Sequence, residues 1–377
     1  MVLDKIFTAK AVAAYWNSVL ADQNVAPYFG ESVFPARKKL GLDLKFIKGK
    51  SGLPVSLKPS AFDAQAELRD RIGVTAIQTE MPFFREGFKI DERDRQEILR
   101  VQDSNDPYAQ VVLTNIYNDA KNLIDGANVV PERMRMQLLS PADGSPKILI
   151  SSGNVAYEYN FDVDGSFAKN NFKALTGNNA WTDYDNSDPI SVIEDAQDYI
   201  EETTGERPTV LLLNKKTMKD LVNNKKLQSY CLAKAAANGG VVRMTTQLVK
   251  DYLREELNLE AVVYNKMFND ESGTAQKFYP DNMATLLPSS PIGNTYYGTT
   301  PEEADLASTS GANVAIVNTG VAVTVITKNE IPVNTATYAS EVTLPSFEGM
   351  DKVFVISTAP ATVSAAATTS SDEKSEK

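Results

Sequence analysis

The clearest pattern along the chain is one long apolar stripe. Between residues 107 and 140, apolar positions fall at Tyr108, Val111, Val112, Ile116, Tyr117, Ala120, Leu123, Ile124, Ala127, Met134 and Leu138, the three-and-four spacing of a single helical face. Asp106 before Pro107 fits an N-cap followed by proline at the first helical position. At ~1.5 Å per residue this helix reaches about 50 Å, and Pro131 predicts a bend or interruption near Val130. A helix this long with one stripe and no heptad repeat predicts a spine on which a sheet lies.

Elsewhere the pattern is shorter-ranged. Leu3, Ile6, Phe7, Val12, Tyr15, Trp16 and Val19 predict a short amphipathic helix over 3–21. From 40 to 84 the chain alternates in short pieces, 42–48, 53–57 and 74–82, around the turn GKSG at 49–52, with a poorly hydrophobic middle near 63–71. This predicts a long charged hairpin that buries too little to fold alone and must lie on another surface. Strands are expected at 147–150 and 155–161. The polar stretch 176–189 reads as a domain boundary. An α/β pattern follows: helices at 189–203, 215–223 and 245–257, with strands at 209–213 and 259–264. The last third is β, at 283–287, 313–317, 322–328 and 351–357. The closing ATVSAAATTSSDEKSEK is low-complexity and expected to be disordered.

Composition then narrows the chemistry. The 377 residues include no histidine and a single cysteine, Cys231. That excludes His-based nucleophile systems and His-bearing zinc sites, and it leaves no internal disulfide or CxxC pair. Lys and Arg number 38 against 49 Asp and Glu, a net charge of −11, so a basic nucleic-acid-binding surface is not indicated. Asp4, Lys5 and Lys10 interrupt any apolar leader, and no apolar run approaches the ~20 residues that span a bilayer; no membrane association is expected.

The charge is uneven. Residues 1–100 hold 16 basic and 13 acidic side chains, and the remainder holds 22 and 36. Within 34–50, Arg37, Lys38, Lys39, Lys45, Lys48 and Lys50 face only Asp43. Such a patch is ordinarily a solvated face. The sharper reading is a basic extension that meets an acidic surface, the nearest being a second copy of the chain.

The remaining motifs reduce to structural readings. GKSG lacks the earlier glycine of a phosphate loop, since Leu44 stands there. Asp162-Val163-Asp164-Gly165 lacks the later ligands of a calcium loop and reads as a turn. Asp183, Asp185 and Asp188 read as a solvated loop ending in a helix N-cap. Cys231 reads as a small buried hydrophobe. No cofactor or catalytic constellation is indicated. The aromatic pairs Phe83-Phe84 and Tyr296-Tyr297 read as core or subunit contacts.

Several stretches read together resemble the major capsid proteins of lambda-like tailed phages, the capsid protein E family. They are Phe34-Pro35; RDRIGVTAIQTEMPFFRE at 69–86; IYNDAKNLIDGA at 116–127; WTDYDNSDPISVIEDA at 181–196 with the following PTVLLLN; and FYPDNMATLLPSSPIGNTYYGTTPEEADL at 278–306. Each is weak alone; their order and spacing over 34–360 carry the resemblance. It implies an α+β chain with the Hong Kong 97-type capsid fold: an N-terminal arm (1–33), an E-loop hairpin with its flanks (34–87), a spine-helix P-domain (88–186), an inserted α/β A-domain (187–327), a return to the P-domain sheet (328–360) and a tail (361–377).

The function implied is structural: pentamers and hexamers closing into an icosahedral phage head around double-stranded DNA held without sequence-specific binding. The partners are other copies of the chain, scaffolding and portal proteins, and in some relatives a decoration protein. Such heads are assembled in the host cytoplasm. The expected interface residues are Arg37, Lys38, Lys39, Lys45, Lys48, Lys50, Arg69 and Arg71, with aromatic contacts from Phe83, Phe84, Tyr296 and Tyr297. Three alternatives stay open on sequence: an encapsulin-like compartment, a carboxylate-dependent hydrolase using the acids near 183–188, and a binding protein such as a tail component.

Overall fold

The expected spine is present. In a computed structural model that describes residues 7–23, 27–48, 75–90, 92–93, 96, 107–152, 155–237, 243–306, 312–328 and 333–360, the chain opens with helices α1 (Ala9–Gln23) and α2 (Phe29–Val33). Strand β1 (Ala36–Lys38) follows, then an antiparallel ribbon of β2 (Asp43–Lys48) and β3 (Thr75–Glu80), then β4 (Phe83–Ile90). The spine helix α3 (Pro107–Leu139) runs 33 residues. The hairpin β5 (Lys147–Ser152) and β6 (Val155–Asn160), helix α4 (Ser166–Asn170) and β7 (Phe172–Ala174) lead to α5 (Pro189–Thr204). Next come β8 (Val210–Leu213), α6 (Lys215–Asn223), α7 (Lys225–Ala237), α8 (Thr246–Leu257) and β9 (Glu260–Val263). The rest is β: a small hairpin of β10 (Met267–Asn269) and β11 (Ala275–Lys277), then β12 (Met283–Leu287), β13 (Thr295–Tyr297), β14 (Ala312–Val317), β15 (Val321–Lys328), β16 (Asn334–Pro345) and β17 (Phe354–Ser357).

Two sheets share the spine. In the first, β16 is central, with β4 on one side and β15, then β14, on the other; β13 and β1 continue past the end of β15. Ile116, Ala120 and Ile124 of α3 pack on Ile90, Val317, Val323 and Val325 of this sheet, and Phe7, Val12 and Trp16 of the N-terminal segment close the cluster. Trp16 donates from its indole to Asp125 (2.8 Å), and the Tyr15 hydroxyl donates to Asn118 (2.7 Å), so α1 is strapped to the spine. The second sheet has the order β7-β17-β12-β8-β9 and packs its helices through Ile193, Ile200, Leu221, Leu253 and Leu257.

The last turns of α3 bridge the two sheets. Met134, Met136, Leu138 and Leu139 sit in one cluster with Leu212, Met283 and Val355 of the second sheet and Leu344 of the first. Thr285 donates to the Leu139 carbonyl at 2.6 Å, satisfying one of the orphan acceptors at the helix end. The helix runs through Pro131 without the interruption that was one of the two expected outcomes. Pro131 lacks the N–H that would bond Ala127, but its turn is buried, and Asn128 donates back to the Ile124 carbonyl at 2.9 Å, reinforcing the turn before it.

Strand membership differs from the sequence-based division in two places. β14 and β15 were expected in the α/β segment and instead hydrogen-bond in the spine-helix sheet beside β16. β17 was expected to return to the spine-helix sheet and instead pairs with β12 and β7 in the α/β sheet. The stretch 176–189 is no loose boundary: Trp181 within it is buried and its amide bonds to the Thr358 carbonyl. The expected strand at 53–57, the hairpin middle and the C-terminal tail lie outside the described residues.

Asp188 caps α5 as expected, accepting from the Ser191 amide, with Pro189 next to it. Replacing Asp188 by Ala is expected to destabilise the unassembled chain by about 1 kcal/mol, read as a lower denaturant midpoint at unchanged slope.

Candidate subunit interface and its buried anchor

The ribbon β2–β3 pairs with no other strand among the described residues. Its base is fixed to the body by fully buried Leu44 and by the Tyr159 hydroxyl donating to the Glu80 carbonyl, and the Met81 amide extends the ribbon's own ladder to the Leu42 carbonyl. Leu40 and Leu42 are exposed beside it, Leu40 at 83%.

The expected basic residues fall into three groups. Arg37, Lys38 and Lys39 belong to the body rather than to the ribbon, because β1 is held parallel to β13. Lys38 bonds the Gly298 carbonyl (3.0 Å) and Glu303 (2.5 Å), and Lys39 lies 5.9 Å from the Tyr296 ring centre. Lys45 and Lys48 are on β2, where the backbone alone is described. Lys50, Arg69 and Arg71 lie outside the described residues. Of the aromatics, Phe83 carries Arg85 over its ring at 4.7 Å and Phe84 packs edge-on to Tyr157. Tyr296 is half-buried. Tyr297 is a correction: it is buried within the subunit, beside Arg135, and its hydroxyl is pushed up to about 12 chiefly by that burial.

The acids near 183 are engaged in holding a turn. Asp183 accepts from the amides of Asp185 and Asn186 and from the Asn186 side chain, which holds its carboxyl below the usual range, while Asp188 caps α5. Among the described residues no three His, Cys, Asp or Glu side chains gather as a metal cluster. Nor is any described helix long and apolar enough to cross a membrane.

Sequence patterning missed the buried anchor behind this surface. Glu132 and Arg135, one helical turn apart on α3, are 0% and 1% exposed and meet at 3.3 Å. Glu132 also accepts from the Gly30 amide (3.1 Å) and the Tyr264 hydroxyl (2.7 Å). Arg135 donates to Thr295 (2.8 Å), which donates to the Phe34 carbonyl (3.0 Å). One pair on the spine thereby ties the N-terminal segment, β13 and the residue that follows β9. Burial raises the Glu132 carboxyl, opposed by its bonds to Tyr264, Arg135 and Gly30; burial together with Glu132 raises the Tyr264 hydroxyl. A sequence signal existed: Val129, Val130, Met134, Met136, Leu138 and Leu139 leave these turns apolar on most sides, so charges among them must be buried.

Glu341 of β16 is a second buried acid. It is fully buried, neither oxygen has a hydrogen-bond partner among the described residues, and desolvation raises it well above the usual carboxyl range, with Arg135 opposing.

This architecture is that of solved phage-type structures. A protein assigned as a prophage capsid protein from Escherichia coli CFT073 has a TM-score of 0.55 at 14% identity, over 93% of this chain and 99% of that one. A phage-related protein from Bordetella bronchiseptica RB50 has a TM-score of 0.51 at 14% identity, over 93% and 97%. Among the curated proteins none matches. The fold is thus of the phage-capsid class. The profile of phage major capsid protein E matches residues 8–321, and the chain belongs to that family. It is a structural protein of a viral shell and not an enzyme.

Two outcomes follow from the buried acids. Gly30→Ala puts a methyl 2.4 Å from Glu132 Oε2 and 2.6 Å from Arg135 Cδ; it is expected to destabilise the chain by about 1–3 kcal/mol, measured by denaturant unfolding. Because Glu341 is raised on folding, the folded state holds its proton more tightly, so stability falls as pH rises above the ordinary carboxyl value. Glu341→Gln should remove that part of the pH slope and raise the neutral-pH melting temperature of the unassembled chain.

Proposed function

We propose that this chain builds the phage head by closing into pentamers and hexamers, with the β2–β3 ribbon of each subunit lying over the body of the next. What carries the reading is the ribbon itself: a two-stranded sheet with no third strand among the described residues, anchored at its root beside exposed Leu40 and Leu42. A two-stranded sheet is marginal in water without a surface beneath it. Family membership supports another copy of the shell protein as that surface. Heterologous contacts repeated around an axis close into rings, and rings of two sizes close a shell.

In this reading the ribbon is the E-loop, α1 and α2 the N-terminal arm, the spine helix with the β16-centred sheet the P-domain, and the β12-centred sheet with its helices the A-domain. The acidic balance of the chain, −11, suits a container for double-stranded DNA, since a basic lining would grip the genome through its phosphates. Assembly takes place in the host cytoplasm with scaffolding and portal proteins, and a decoration protein is compatible with the exposed surface. The basic side chains Lys45, Lys48 and Lys50 meet an acidic part of the neighbouring body.

Reversing all three to Glu should leave the chain folded, with unchanged far-ultraviolet circular dichroism, and abolish most particles in electron micrographs. Wild-type particle yield from that triple variant would contradict the ribbon assignment.

A further inference from the structure

The spine-facing side of β16 carries polar atoms that the protein itself leaves unpaired. Side chains alternate along a strand, and Thr337 and Ala339 stand opposite Val325 and Val323, which pack on the spine. Glu341 and Thr343 continue that face towards α3, and Thr343 pairs with Tyr297, which lies beside Arg135. Both Glu341 oxygens and the Thr343 hydroxyl are buried without a hydrogen-bond partner among the described residues. Arg135 of α3 commits Nε to Thr295 and Nη1 to Glu132, while its Nη2 is buried with no such partner either.

Arg135 and Glu341 are close enough to act on each other and too far apart to bond. The guanidinium draws the Glu341 carboxyl down against the desolvation that raises it, so its charge is felt there. Yet the ion-pair contact of Arg135 is with Glu132, and Nη2 and both Glu341 oxygens go without a hydrogen bond. With the Thr343 hydroxyl these make four buried polar atoms, which left unpaired would together cost a large part of the stability of a folded chain. A shared water removes that cost where the space is polar and large enough. Such space adjoins the carboxyl: Gly126 and Ala127 of α3, with Ala339 and Glu341 of β16, line a cleft of about 840 Å³.

The facing groups restrict what fits between them. A cation there is repelled by the guanidinium, and an anion by the ionised carboxyl. What remains is a small neutral molecule that accepts from Nη2, either donates to the carboxyl or accepts its proton, and keeps a further bond for Thr343. Water does all three. We infer that Arg135 and Glu341 are joined through a water-binding site: at least one ordered water bridges Nη2 to a Glu341 oxygen, with the Thr343 hydroxyl as a third partner and the cleft as the entry path. Glu132 is then the direct partner of the arginine and Glu341 the hydrated one, so a single guanidinium serves two buried acids, one on the spine and one on the central strand. The site lies within one subunit and does not depend on how the subunits assemble.

The test is a density map of the full-length chain, in whichever assembled state it purifies, at a resolution that shows buried waters elsewhere in the molecule. The expected result is at least one isolated peak within hydrogen-bond distance of both Arg135 Nη2 and a Glu341 oxygen. The double variant Glu341→Leu, Thr343→Val removes the polar atoms that β16 contributes, and its map should lose the peak while α3 and β16 superimpose on the wild type. Should the double variant fail to fold, Thr343→Val alone, which removes one partner, should weaken or displace the peak. A direct hydrogen bond between Arg135 and Glu341 in the wild-type map overturns the site. So does density for a metal ion, a chloride or an organic molecule between them, or the lack of any peak there. A peak unchanged in both variants overturns it as well, since its partners would then lie elsewhere.

Discussion

The structure depends on one desolvated ion pair. Glu132 and Arg135 lie in the last turns of the spine, where no water competes for them. A buried pair adds little net stability against an apolar replacement, but removing one partner leaves a charge stranded and is strongly destabilising. Its effect is therefore on geometry. The pair draws in Gly30, Tyr264 and, through Thr295, the Phe34 carbonyl. Gly30 has no room for a methyl because Glu132 and Arg135 occupy that space. The N-terminal segment as far as Phe34, the spine, β13 and the residue after β9 are thus tied to one another.

A shell subunit needs this separation of roles. The body must hold its shape while its projecting parts find partners, since small angular errors accumulate when heterologous contacts repeat around an axis. Apolar packing of the spine on β16 and β12 sets the body, and the polar network ties the N-terminal segment and β13 to it. Glu341 belongs to a different category. It sits on the central strand with no hydrogen-bond partner among the described residues, opposed only through space by Arg135, so the subunit carries a local conflict that apolar packing alone would have avoided.

How much of this was legible in the sequence follows from what each element depends on. The spine, the cap at Asp188 and the helix at 215–223 were legible because their signals are local: an apolar stripe, an Asp-Pro junction, an amphipathic run. β16, the longest strand and the centre of its sheet, was not. Its buried positions include Thr335, Thr337, Ser340, Glu341 and Thr343, so the apolar alternation that marks a strand is absent. Helix α7 was hidden because KKLQSYCLAKAAA has almost no apolar face. The exchange of β14 and β15 with β17 between sheets had no local signal, since strand pairing over such separations is decided by three-dimensional packing. The basic cluster was visible as a cluster, but the parallel pairing that binds Arg37, Lys38 and Lys39 to the body was not. Glu132 and Arg135 resembled ordinary surface charges one turn apart; the apolar residues around them were the overlooked sign.

The central claim is that this chain's work is contact with copies of itself. The most direct test is the size distribution of the purified full-length chain, by size-exclusion chromatography with electron microscopy of each fraction. Closed shells or capsomer-sized rings are the expected result. A stable monomer that forms neither at any concentration or salt would contradict the account.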